Sequence, residues 1–134
     1  MVTIDTSIVI AVASGESTRP AILQALAGQT VLAPASLEAE VGNSLSDMVK
    51  RRRVSLTDAL EYLETIGRMD IRMIPIDLRA AVELAARLGV YAYDAYPIAC
   101  AQSSGTVLLS LDRRQCNAAR IAGVTAVHFP ADVP

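Results

Sequence analysis

Tryptophan is absent from the 134 residues, and there is one phenylalanine, one histidine and two cysteines. With His128 alone, and only Cys100 and Cys116 beside it, the chain can build neither a four-ligand zinc site nor a two-histidine ribonuclease site. Two cysteines are also too few for a disulfide framework. Both fall in segments that read as helix, so inert thiols packed in the core are expected. His128 lies in a late apolar run with no acid near it in sequence and is expected as a terminal strand residue. No G-x-S-x-G elbow occurs, which leaves serine-hydrolase chemistry without support. No stretch approaches the roughly 20 apolar residues of a membrane span, and Met1 leads directly into Val2-Thr3-Ile4-Asp5 without a basic leader. The expected location is cytoplasmic, with no membrane partner.

Positive charge is scarce too. Twelve basic residues against fourteen acidic ones leave a net charge of −2, so no global field attracts nucleic acid. Substrate contact must be local, and the candidates are Lys50-Arg51-Arg52-Arg53 and Arg113-Arg114. The first run reads equally well as a dipole-favoured helix C-terminus or as a phosphate contact. Arg113 and Arg114 follow an acid, Asp112, directly. Apolar residues make up 52% of the chain and the mean hydropathy is +0.37, which implies apolar surface covered by a partner. The length suits a single domain spanning 1–134, and no repeat or linker segment interrupts it.

Strands and helices alternate along the chain. Val2 to Asp5 reads as a buried strand, Thr6-Ser7 as the start of a helix, and Ile8 to Ala13 as its apolar run. A helix from about Arg19 to Ala27 ends at Gly28, and a second strand, Thr30 to Ala33, stops at Pro34. From Ser36 to about Arg53, Leu37, Val41, Leu45 and Met48 keep helical spacing while Ser36, Glu40, Asn43, Ser44 and Asp47 share another face. A helix from Ser55 to about Ile66, a strand from Ile71 to Ile76 and a helix from about Asp77 to Leu88 follow. Proline is tolerated in a first helical turn, so the helix carrying Pro97 and Ile98 to Gln102 is expected to begin near Asp94, with Asp94 at or beside its N-cap. Thr106 to Ser110, Arg113 to Ala122 and Thr125 to Phe129 read as strand, helix and strand. A frayed tail, Pro130 to Pro134, is expected after them.

Such alternation implies a three-layer α/β/α sandwich with a mostly parallel, five-stranded sheet, whose active site lies at the carboxyl ends of the strands. Asp5 and Asp112 both stand just past such ends. Glu40 lies early in a helix and Asp94 at a helix start. Taken singly, Asp5 reads as a cap, Glu40 as a solvated carboxylate, Asp94 as a cap and Asp112 as a turn residue. Together they repel, and a hard divalent cation that prefers carboxylate oxygens and water resolves the repulsion. The combination reads as a metal-dependent nuclease pocket. Tyr91, Tyr93 and Tyr96 surround Asp94, and packing is expected of them ahead of nucleobase stacking.

The runs V-T-I-D-T-S at Val2 to Ser7, E-V-G-N-S-L at Glu40 to Leu45, Y-D-A-Y at Tyr93 to Tyr96 and L-S-L-D at Leu109 to Asp112 resemble the PIN-domain family, in order and over nearly the whole chain. Among PIN domains, a short stand-alone chain is most similar to the VapC-type toxins of prokaryotic toxin-antitoxin pairs. The resemblance implies an endoribonuclease that uses Mg²⁺ or Mn²⁺, forms a homodimer and is inhibited by a VapB-type antitoxin. It places the four family acids on Asp5, Glu40, Asp94 and Asp112. Asp5, Asp94 and Asp112 would hold the metal directly or through waters, and Glu40 would bind metal or orient the attacking water. Thr6, Ser7, Asn43 and Ser110 match the supporting positions, and Arg113 and Arg114 are the candidates for RNA contact. With water as the nucleophile, RNA products would carry 5′-phosphate and 3′-hydroxyl ends. Ser110 stands where threonine is common, Gly42 where alanine is usual, and Cys116 where some members carry a further carboxylate.

Two other readings share an acidic pocket. A phosphoaspartyl phosphatase would place a second aspartate where Ser7 stands. A receiver-like signalling module, binding metal without catalysis, requires a lysine near the last strand, and Lys50 is the only lysine in the chain.

Overall fold

Alternating side chains on very short strands decide the layering. The structure, a computed structural model, describes residues 1–130. Its strands are β1 (Val2–Ile4), β2 (Val31–Pro34), β3 (Ile71–Ile74), β4 (Val107–Ser110) and β5 (Ala126–His128). Ile4, Val31, Ala33 and Leu109 face one core, which is completed by α1 (Thr6–Ser14), α2 (Arg19–Leu26), α3 (Leu37–Lys50) and α4 (Leu56–Gly67). Leu108 and Ala126 face a second core, closed by α5 (Leu78–Leu88), α6 (Ala92–Ser104) and α7 (Arg113–Ile121). The result is the expected three-layer α/β/α sandwich.

The five strands are all parallel, in the order β3-β2-β1-β4-β5. From β1 the chain winds outward through β2 to β3, then returns to the other side of β1 as β4. Residues Val2, Thr3 and Ile4 pair with Val107, Leu108 and Leu109, so β1 and β4 end side by side. The winding direction reverses between them, and a crevice opens there at the carboxyl ends. Asp5 and Asp112 follow those two ends.

Element bounds differ from the sequence reading mainly at helix termini. The helix expected to run to about Arg53 stops at Lys50, where Arg52 takes a left-handed φ of 57°. The larger correction concerns α6. It begins at Ala92 with Tyr91 as N-cap, so Asp94 is inside the first turn and Pro97 lies within the helix. Pro97 has no N–H to offer the Tyr93 carbonyl four residues back, and this one missing bond is tolerated near the helix start. Of the expected frayed tail, residues 131–134 lie outside the described part of the chain. Cys100 and Cys116 are both free and buried, as expected. Burial raises the pKa of each thiol, which keeps it protonated and unreactive.

Ile98 is fully buried and fastens α6 into the second core. Ile98→Ala is predicted to lower unfolding free energy by about 2–5 kcal/mol, the usual range for removing a buried aliphatic side chain. Urea unfolding measures it, and a loss under about 1 kcal/mol would show that α6 is not anchored through this residue.

Candidate active site

Asp5 sits at the seam between β1 and β4 and is only 8% exposed. It is the N-cap of α1, with Oδ1 accepting from the Ile8 amide at 3.4 Å. Ser7 Oγ donates to the same oxygen, and Ser110 Oγ donates to Oδ2. Each serine also accepts a backbone bond: Ser7 Oγ from Leu111 N and Ser110 Oγ from Asp112 N, both at 2.9 Å. The two hydroxyls therefore tie Asp5 to the loop that carries Asp112. A carboxylate has about four acceptor positions, and one on Oδ2 is left over.

The other acids come from three further helix N-termini. Asp112 caps α7, its Oδ1 accepting from Arg114 N at 2.9 Å and Gln115 N at 3.4 Å. Glu40 lies in the first turn of α3 and takes a 2.8 Å bond from Ser36 Oγ. Asp94 is in the first turn of α6, half-buried. Caps and first turns favour negative charge, because unpaired N–H groups and the helix dipole point toward it. The ordinary capping roles and the shared site thus coincide on the same residues.

The charges of these acids act on one another. Burial raises the pKa of Asp5, against the lowering effect of its hydrogen bonds, and the Asp112 charge adds to the rise. Burial also raises Glu40, with Asp5 and Asp94 both contributing, and raises Asp94, with Asp112 contributing and Arg114 opposing. Asp5, Glu40 and Asp94 thus each feel at least one other acid of the set of four. Among the described residues no three Asp, Glu, His or Cys side chains close on one ion unaided. Two clefts open at the ring. One is lined by Thr6, Ala39, Glu40, Asn43, Ser44 and Tyr93, the other by residues that include Tyr91, Asp94, Asp112, Arg114 and Gln115.

A PIN domain profile matches residues 2–121. The chain belongs to the PIN domain family. Solved structures of similar fold include PAE2754 from Pyrobaculum aerophilum, at 23% identity over 93% of this chain and 89% of that one, with a TM-score of 0.71. VapBC2 from Rickettsia felis, bound to a DNA fragment from its promoter, aligns at 15% identity over 96% and 98% of the two chains, TM-score 0.69. FitAcB from Neisseria gonorrhoeae aligns at 17% identity over 96% and 97%, TM-score 0.66. No curated protein sequence matches the chain.

Of the supporting positions in this PIN domain, Ser7 and Ser110 hold Asp5, whereas Thr6 and Asn43 line the cleft beside Glu40. Arg114 borders the second cleft, and Arg113 is exposed on the same helical turn. The Lys50–Arg53 run is remote, about 15 Å along α3 from Glu40, and Arg51 pairs there with Asp47 at 3.0 Å. Cys116 lies within reach of the Asp5 and Asp112 charges but lines neither cleft. It is buried with Sγ directed toward the Ser110 carbonyl, while its neighbour Gln115 lines the second cleft with Asp94 and Asp112.

Gln115 and His128 are contributors that sequence reasoning missed. Gln115 Nε2 donates to the Asp94 carbonyl at 2.8 Å and so braces α6 against α7. Its signal was present as D-x-x-Q at Asp112 to Gln115, the spacing of a capping box. In such a box the side chain would return to its own N-cap amide, but Ser110 already takes that amide. His128 Nε2 lies 3.1 Å from the Leu111 carbonyl and steadies the residue before Asp112. No sequence signal marks that contact, which depends on β5 lying beside β4.

The raised pKa of Asp5 has a stability consequence. The folded chain binds this proton more tightly than the unfolded chain, so stability falls as pH rises from the ordinary carboxylate range through the raised value. Charge on Asp5 therefore opposes folding. Asp5→Asn is predicted to be more stable than wild type near pH 7 in chelator, because the amide carries no charge to be buried. The difference should shrink as pH falls toward about 4. Urea titrations at several pH values test this, and an Asn variant less stable at every pH would contradict it.

Proposed function

We propose that this PIN domain is a metal-dependent endoribonuclease, the toxin of a toxin-antitoxin pair, silenced by a VapB-type antitoxin. The observation that carries the reading is the ring of four carboxylates at the β1/β4 crevice, three of them with raised pKa values. Oxygen is the only donor type offered there, which suits Mg²⁺ or Mn²⁺ and disfavours zinc. Since Mg²⁺ keeps several waters and takes one or two carboxylates, a ring too open to chelate alone is compatible with it. Asp5, through its uncommitted Oδ2 position, Asp94 and Asp112 would hold the ion. When bound, it supplies Lewis acidity at the phosphate and a water of lowered pKa.

The chain's own groups account for the rest. Glu40, half-buried and held by Ser36, would orient the attacking water and take its proton. Water oxygen bonds to phosphorus and the bond to the 3′ oxygen breaks; that oxygen takes a proton from solvent to become the 3′-hydroxyl, the phosphate stays on the 5′ oxygen of the next nucleotide, and Glu40 returns its proton to solvent. Arg114, beside Asp94 and Asp112, offers a forked donor to a neighbouring phosphate, with Arg113 next to it.

Similarity to VapBC2 and FitAcB supports an antitoxin partner. An apolar groove between α3 and α4 supports it too, lined by Leu37, Val41, Leu63, Ile66, Met69 and Met73 among others. Leu56, Leu60 and Leu63 of α4 lie exposed at helical spacing beside it. A partner segment seated there could extend a basic side chain toward the acids. Exposed Leu78 and Val82 on α5 suit a homodimer contact. No helix of the described chain is long and apolar enough to cross a membrane, and action on cellular RNA would place the protein in the cytoplasm.

Asp5→Asn, Asp94→Asn, Asp112→Asn and Glu40→Gln are each predicted to lower RNA cleavage by about a hundredfold or more, the scale of losing one transition-state charge stabiliser. Near wild-type cleavage by any of them would remove that residue from the site. Chelation should stop cleavage and Mg²⁺ or Mn²⁺ restore it, while activity that survives thorough chelation would sink the metal mechanism. Expressed alone, the wild type should arrest growth and Asp5→Asn should not. Co-expression with the small protein encoded beside it should give a silent complex, and a harmless wild-type chain would end the toxin assignment.

A further inference from the structure

Tyr93 departs from the packing expected of it. Its side chain is 63% exposed, although it precedes Asp94 directly and borders the cleft beside Glu40. The ring is nonetheless held. Half-buried Tyr96 meets it edge to face, with centroids 5.7 Å apart and planes at 84°. An exposed aromatic face already fixed in place can stack on a flat partner with little further ordering.

Around that face stand polar groups not engaged by other side chains of the described residues. Thr6 Oγ1 is shut off from solvent and has no hydrogen-bond partner among the described residues. The Asn43 side-chain amide makes no hydrogen bond within the described residues, and its backbone carbonyl accepts from Ser46 Oγ. Ser44 completes the rim. The cleft measures about 410 Å³, toward the small end of ligand-sized cavities. Glu40 on its wall disfavours a phosphate there and favours a neutral group that carries N–H donors.

We infer that this cleft is a nucleobase subsite, which takes one unpaired base next to the scissile phosphate, stacked on Tyr93 and read along its edge by Asn43. The inference rests on the ribonuclease reading. A neutral planar base matches the fixed ring, the free amide and the acidic wall together, and unpaired RNA presents such bases. Asn43 offers one donor and one acceptor side by side, the pattern that pairs with a base edge. An apolar protein segment finds its match in the α3/α4 groove instead.

The test compares Tyr93→Ala, Tyr93→Phe and Asn43→Ala with wild type on single-stranded RNA. Tyr93→Ala is expected to raise KM roughly five- to hundredfold, the range for losing one base stack, with kcat changed less than about threefold. Tyr93→Phe, which keeps the ring, should stay within about twofold. Asn43→Ala should relax the base preference at one position beside the mapped cuts. In the Asp5→Asn background, RNA carrying 2-aminopurine at that position should lose fluorescence on binding, and should not when Tyr93→Ala is added. If wild type and Tyr93→Ala cut the same RNA with the same KM and site spectrum, the subsite falls and the nuclease stands. If wild type cuts no RNA with Mg²⁺ or Mn²⁺ present, the nuclease reading falls and the subsite with it. Should Tyr93→Ala weaken binding of the partner protein while leaving RNA binding intact, the cleft belongs to the partner and the inference is overturned.

Discussion

A carboxylate held almost out of water between two parallel strands is the constraint on which the site depends. Asp5 would be ejected from so buried a position if its oxygens were not met by Ser7, Ser110 and the Ile8 amide. Those same serine hydroxyls accept from Leu111 and Asp112, so satisfying the first acid also sets the path of the backbone leading to the fourth. Without the β1/β4 pairing, Ser110 could not reach Asp5. The sheet order and the site geometry are therefore one arrangement described at two scales.

Repulsion among the four acids is moderated locally before any ion arrives. Asp5 and Asp112 cap their helices, and Glu40 and Asp94 lie in first turns, so each carboxylate faces the positive end of a different helix. Arg114 adds a cation near Asp94. The offset is incomplete, since three of the four still have raised pKa values. The remaining unfavourable energy is what a divalent cation would relieve, and it links folding stability to the occupancy of the site.

Much of this was legible in the chain. Apolar strands bounded by Gly and Pro, and the polar stripe that carried Glu40, placed all four acids at strand ends or helix starts. The rule that proline belongs in a first turn misplaced the beginning of α6, because it gave too little weight to Tyr91 as a cap and to the tolerance of one missing hydrogen bond. The roles of Ser7, Gln115 and His128 depend on contacts with residues 104, 21 and 17 positions away. Such contacts follow from sheet order, which local periodicity does not encode. The exposure of Tyr93 was hidden for a similar reason: with Tyr91 and Tyr96 close by in sequence, only packing distinguishes a core ring from a surface one.

Because the acids serve also as helix caps, the two kinds of loss are not equivalent over evolutionary time. A lineage released from selection for cleavage could replace Asp5 or Asp112 by asparagine and keep the cap, since Asn and Asp cap about equally well. Replacement by alanine or valine would fray α1 or α7 as well. Inactive descendants of this chain should therefore carry amides where the acids stood, and preserve the outline of the site long after its chemistry has gone.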